Sequence, residues 1–134
     1  MSKICTDIKQ SKKLLELGID PETSDMYWRE LKYSEPVEYS INYRPKEMML
    51  TSRTIAFPAW SLSALFELLP KELELLSDED YFVPILSRSY DDTNKFICCY
   101  DNGGMEHWYI EDNPLDAVFK MVCWLLENNY LNKE

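Results

Sequence analysis

The residues best suited to do chemistry are His107, the only histidine of the chain, and the adjacent pair Cys98 and Cys99. A cysteine becomes a nucleophile when a nearby imidazole takes its proton, so a small enzyme would need His107 beside one of these thiols. The sequence predicts such an approach, because the three residues lie on two strand-like segments joined by a hairpin turn. Cys98 and His107 are therefore our candidates for a catalytic pair.

The turn of this hairpin decides which thiol lies opposite His107. Asn-Gly is the strongest two-residue turn signal, so a turn at Asn102 and Gly103 would place Cys98 directly opposite His107. A shift of one residue would bring Cys99 there instead.

An orienting acid would complete a catalytic group, and Asp101 or Glu106 could supply it. The alternative is that His107 packs among aromatic side chains with one structural hydrogen bond, and we favour this interpretation over an enzyme. We expect no metal site at these residues either. Adjacent cysteines in a strand point to opposite faces of the sheet, so Cys98 and Cys99 cannot ligate one ion together with His107.

The charge of the chain limits its partners. Its 134 residues predict one domain, and 24 acidic against 14 basic residues give a net charge of −10. This charge argues against a nucleic-acid clamp and against a polybasic membrane anchor. The sequence has no apolar run that could span a bilayer and no apolar leader, so we expect a cytoplasmic protein. Only three glycines are present, too few for a phosphate loop or dinucleotide fingerprint, and we expect no cofactor.

An acidic run around one predicted loop suggests an alternative function. The run consists of Glu72, Glu74, Asp78, Glu79 and Asp80. The simplest interpretation is a solvated surface, since the spacing of a calcium-binding EF-hand is missing. The alternative is an acidic decoy that imitates nucleic-acid charge and inhibits a nucleic-acid-binding host protein.

A tyrosine-rich segment contains a local group of basic residues. Its aromatic residues are Tyr27, Trp28, Tyr33, Tyr39 and Tyr43, and its basic residues are Arg29, Lys32, Arg44 and Lys46. Stacking on single-stranded nucleic acid would suit this composition, but the net charge opposes it. We expect the segment to wrap the core or to pair with a second copy through an edge strand.

Apolar periodicity and capping residues predict the elements that hold these groups. The predicted helices run from a Thr6 cap to Gly18, over about 61–69, and from an Asn113 cap and Pro114 to about Glu127. A single turn is predicted at Asp20 and Pro21. The predicted strands span 37–43, 81–86, 96–100 and 105–110. Prolines around the first strand suit an edge strand or an extended arm, and the proline inside the second indicates a strand that lies at an edge or is bulged.

The hairpin 96–110 is mostly apolar on both of its faces. An antiparallel sheet with one wet face would alternate apolar and polar residues instead. We therefore predict helices on both faces, in an α+β fold. The predicted architecture is a three-layer α/β/α sandwich with an antiparallel β-meander and a long C-terminal helix. That helix is apolar nearly all round, which indicates deep burial or a partner surface.

Several packing motifs resemble a group of uncharacterised small proteins of gut bacteria and of their phages or integrated elements. They are residues 58–70 (PAWSLSALFELLP), the hairpin with Trp108, the closing segments 113–118 (NPLDAV) and 124–127 (WLLE), and the opening 11–18 (SKKLLELG). The hairpin and the closing helix are also similar to the phage α/β/α sandwich domain family. The resemblance implies that fold and a mobile-element context, and it implies no activity and no site residue.

The sequence thus favours a non-catalytic protein-interaction or assembly domain of a phage or mobile genetic element. Its expected partner is another protein or a second copy of the chain, with neither nucleic acid nor membrane. The acidic decoy is the alternative, and a small enzyme using Cys98 and His107 comes third.

Overall fold

The computed structural model describes residues 3–31, 38–43, 56–70, 83–89, 94–101, 105–128 and 130. These residues form a mixed α+β fold, as predicted. In chain order the elements are α1 (Ile8–Glu16), a 3-10 turn (Pro21–Thr23), β1 (Met26–Leu31), β2 (Glu38–Tyr43), β3 (Ala56–Ala59), α2 (Leu62–Leu68), β4 (Val83–Arg88), β5 (Phe96–Asp101), β6 (Met105–Glu111) and α3 (Pro114–Glu127). Within the described residues, no helix is long and apolar enough to cross a membrane.

The strands form two antiparallel sheets of three. The first has the order β2-β1-β3, and the second is the expected meander, β4-β5-β6. The prolines correctly indicated edge strands, since β2 and β4 both lie at an edge of their sheet. Pro84 fits within β4 because an edge strand has one side without a ladder.

The hairpin β5-β6 forms, but its register differs from the predicted one by two residues. His107 lies opposite Tyr100, and Cys98 lies opposite Tyr109. The cause is a register shift next to Asp101, which lies opposite Met105 and leaves three residues between them where two were predicted. A shift of two residues keeps every side chain on its predicted face, because side chains alternate along a strand.

The caps of the helices follow the sequence closely, with one correction. Asp7, not Thr6, caps α1, because its carboxylate accepts the backbone N–H of Gln10 at 2.7 Å while the Gln10 side chain accepts the Asp7 N–H. The Thr6 hydroxyl instead contacts Ser11 Oγ at 2.8 Å in the interior. Gly18 ends this helix with a φ of 99°, as predicted.

The expected caps of the other helices are confirmed. Ser61 accepts the Ala64 N–H at the start of α2. Asn113 accepts the Asp116 N–H at 2.8 Å, and Pro114 takes the first position of α3. The turn after Asp20 also forms, with its side chain accepting the Glu22 N–H.

The main core lies on one side of the second sheet. Leu14 of α1, Leu65 of α2 and most of α3 share one buried cluster with Cys98 and Tyr100 of β5. A smaller cluster of Cys5, Met26 and Ala59 lies under the first sheet. The described helices therefore cover the same face of β4-β5-β6, and a helical layer on its other face has no counterpart among the described residues.

Candidate functional site

The structure does not place Cys98 directly opposite His107. The two residues share a face of the hairpin, but Cys98 is paired with Tyr109 and His107 with Tyr100. Cys98 is fully buried in the main core beneath α3. The side chains of Asp101 and Glu106, the predicted orienting acids, lie outside the described part of the chain.

The environment of the described thiols opposes nucleophilic chemistry. Burial raises the pKa of Cys98 to about 12, and the neighbouring Cys99 adds to the effect. Burial likewise raises the pKa values of Cys5 and Cys123 to about 11. A thiol with such a pKa is almost entirely protonated at neutral pH, whereas a catalytic cysteine needs a lowered pKa and an open surface.

His107 packs among aromatic rings, which is the packing part of the interpretation we favoured. Its ring stacks on Trp124 of α3, with centroids 3.7 Å apart and planes inclined by 13°. Tyr109 meets the same ring edge-on at 5.1 Å. Tyr130 packs on Trp124 with centroids 5.3 Å apart. This stack joins β6 to α3 and so holds the edge of the sheet against the helix.

A second feature, a shallow cavity of about 290 Å³, lies beside the N-terminal segment. It is lined by four apolar residues and two charged ones: Ile4, Cys5, Trp28, Ile41, Lys3 and Asp7. The Lys3 amine already donates to Asp7, Gln10 and Asp116 at 3.0–3.4 Å, which accounts for all three of its hydrogens. The cavity thus offers a ligand little beyond apolar contact.

No group of three or more metal-binding side chains occurs in the ranges that the structure describes. The acidic run 72–80 lies outside those ranges, and so do Tyr33, Lys32, Arg44 and Lys46. The acidic group is therefore outside the description, whereas β1 and β2 pair with each other and carry part of the aromatic and basic group, namely Tyr27, Trp28, Arg29, Tyr39 and Tyr43.

The strongest functional feature is the face of the second sheet that α3 does not cover, which we call the open face. Its described side chains are Val83, Ile85, Ser87, Ile97, Cys99, Trp108 and Ile110, which the register places on one side. Ile97 and Cys99 are buried at its centre. Trp108 is 48% exposed, Val83 45% and Ile110 39%. Large apolar side chains grouped in this way are typical of a protein-binding surface.

The edge strands of the two sheets differ in how they resist pairing with another strand. Pro84 lies within the edge strand β4, and Pro58 lies within β3, an edge strand of the first sheet. Proline lacks the N–H that a new strand would need, so it protects an edge. The edge strand β6 contains no proline and carries Trp108 and Ile110.

The edge strand β6 is also firmly held. Glu111 at its end accepts a hydrogen bond from Lys120 of α3 at 2.8 Å. The N-terminus of α3 is fixed by Asp116, which accepts from Lys3 and from Gln10 Nε2. Burial alone would raise the pKa of Asp116, but the hydrogen bonds from Gln10, Lys3 and Asn113 outweigh burial and lower this pKa.

Sequence reasoning missed that Trp108 and Ile110 are exposed. It recognised that both faces of the hairpin are apolar, but it assigned a helical layer to each. The signal that distinguishes the edges was present in the sequence as Pro58 and Pro84, set against a proline-free β6.

Comparisons with family models, curated proteins and solved structures find no match to this chain.

Proposed function

We propose that this chain is a non-catalytic protein-interaction domain that docks through β6 and the open face. The observation that carries the proposal is the exposure of Trp108 and Ile110 on an edge strand without proline. An arriving strand would extend the sheet by backbone hydrogen bonds, and its side chains would cover the two exposed residues. Trp is also enriched among the residues that dominate binding energies at interfaces.

The described chemistry supports a binding role over catalysis. Cys98 is buried and has a strongly raised pKa, and His107 is occupied in a stack with Trp124. The surface residues with unusual exposure are apolar. Such residues contribute affinity when water leaves them and contribute little to proton transfer or nucleophilic attack.

The setting of this function is also a proposal. The resemblance of the hairpin and closing helix to small phage-related proteins suggests an interaction or assembly role within a phage or mobile genetic element. The acidic decoy depends on residues 72–80, which lie outside the described ranges, so no described contact favours it.

The test uses two lysine substitutions on the open face. Trp108→Lys places a charge on the unprotected edge strand, and Val83→Lys places one at a similarly exposed position on the proline-containing edge β4. Immobilised wild-type protein and both variants are exposed to lysate of cells that produce the tagged chain, and bound proteins are identified. Circular dichroism of each variant verifies that the fold is intact.

We expect wild type and Val83→Lys to retain the same proteins, whether other species or the tagged chain, and Trp108→Lys to lose them. Retention that is equal in all three would contradict docking at β6. So would the absence of any bound protein, the tagged chain included.

A further inference from the structure

We draw no further inference here: the strongest candidate, the shallow cavity between the N-terminal segment and the first sheet, is lined by Ile4, Cys5, Trp28 and Ile41 with the ion pair of Lys3 and Asp7, and nothing in the described part of the chain shows what covers it.

Discussion

The two faces of the sheet β4-β5-β6 are built from similar residues but differ in how far the side chains of their outer strands are exposed. The closed face holds Leu86, Cys98, Tyr100 and Tyr109, which pack in the main core against α3. The open face holds Val83, Trp108 and Ile110, each more than a third exposed. Apolar character therefore does not decide which face of this sheet is buried.

The connection between β6 and α3 makes the difference. Only Asp112 and the cap residue Asn113 separate Glu111, the end of the strand, from Pro114, the start of the helix. So short a link returns the helix across one face, where it packs against β5 and β6. The Lys3 and Gln10 contacts to Asp116 then hold it there. The helix covers one face, and on the other face Val83, Trp108 and Ile110 stay exposed while the central residues Ile97 and Cys99 are buried.

The largest expected difference between the two faces appears when one large side chain is removed from each. Tyr100→Ala empties a fully buried site and deletes the hydrogen bond from the Tyr100 hydroxyl to the Pro70 carbonyl at 2.9 Å. We expect a loss of about 3–5 kcal/mol in the free energy of unfolding, measured by urea denaturation. Trp108→Ala should change it by less than about 1 kcal/mol when measured on the monomer.

The milder variant Tyr100→Phe keeps the packing and removes only the hydroxyl. It should cost about 1 kcal/mol, because the Pro70 carbonyl loses a donor. Equal losses for Tyr100→Ala and Trp108→Ala would mean that the two faces contribute alike, and the distinction between them would fail.

The closed face also predicts how stability depends on alkaline pH. The pKa of Cys98 is raised by burial from 9.0 to about 12, so the folded state favours the protonated thiol. A group of this kind stabilises the fold fully below its unfolded pKa, and this contribution is lost as pH rises towards the folded pKa. The free energy of unfolding should fall by about 1.4 kcal/mol per pH unit above about pH 9 for each such group.

Cys98→Ala should remove the contribution of one such group, about 1.4 kcal/mol per pH unit, from the fall in unfolding free energy between about pH 9 and about pH 12. It should also lower stability at neutral pH through the cavity it leaves. Urea denaturation at several pH values measures both effects. A slope that Cys98→Ala leaves unchanged would show that this thiol is not as deeply shielded as the closed face requires.

The smallest effect concerns the contacts that hold α3 over the closed face. Asp116→Asn removes a charge that accepts from Lys3 and Gln10 and that favours the helix N-terminus. We expect a loss of about 1 kcal/mol at neutral pH. Since the pKa of Asp116 is lowered in the fold, its contribution is present above the unfolded value near 3.8 and disappears as pH falls through the folded value.

The matched control is Glu111→Gln, which breaks the more exposed ion pair with Lys120 at the other end of the same connection. It should cost less than about 0.5 kcal/mol. A difference between wild type and Asp116→Asn that is as large at about pH 2.5 as at neutral pH would argue that the carboxylate charge is not what holds the helix.

Local signals predicted much of this fold because their physics is local. Asn113 and Pro114 start α3, Ser61 starts α2, and Gly18 ends α1, each through contacts within a few residues. The cap of α1 was wrong by one residue because Thr6 is drawn into the interior by Ser11 and by the Trp60 N–H. That competition involves residues 54 positions apart, which no local pattern reports.

The candidate site was predicted less well for the same reason. Asn102 and Gly103 predicted a hairpin, and a hairpin forms, but the register shift beside Asp101 separates Cys98 from the position opposite His107. The burial that raises the pKa of Cys98 comes from α3, which follows it by more than a dozen residues. Exposure of Trp108 likewise depends on which side that helix takes.

The sequence by itself determined the three helices, the strands other than β1 and β3, the apolar character of both hairpin faces and the edge position of β2 and β4. These follow from side-chain period, capping chemistry and missing N–H groups, all of which act within a few residues. Only the tertiary structure decided that α3 covers the face of Cys98 and Tyr100 and leaves Trp108 and Ile110 exposed. The short connection between β6 and α3 and the contacts of Asp116 with Lys3 and Gln10 fix the side of the sheet on which α3 packs. The residues of β6 alone do not indicate that side.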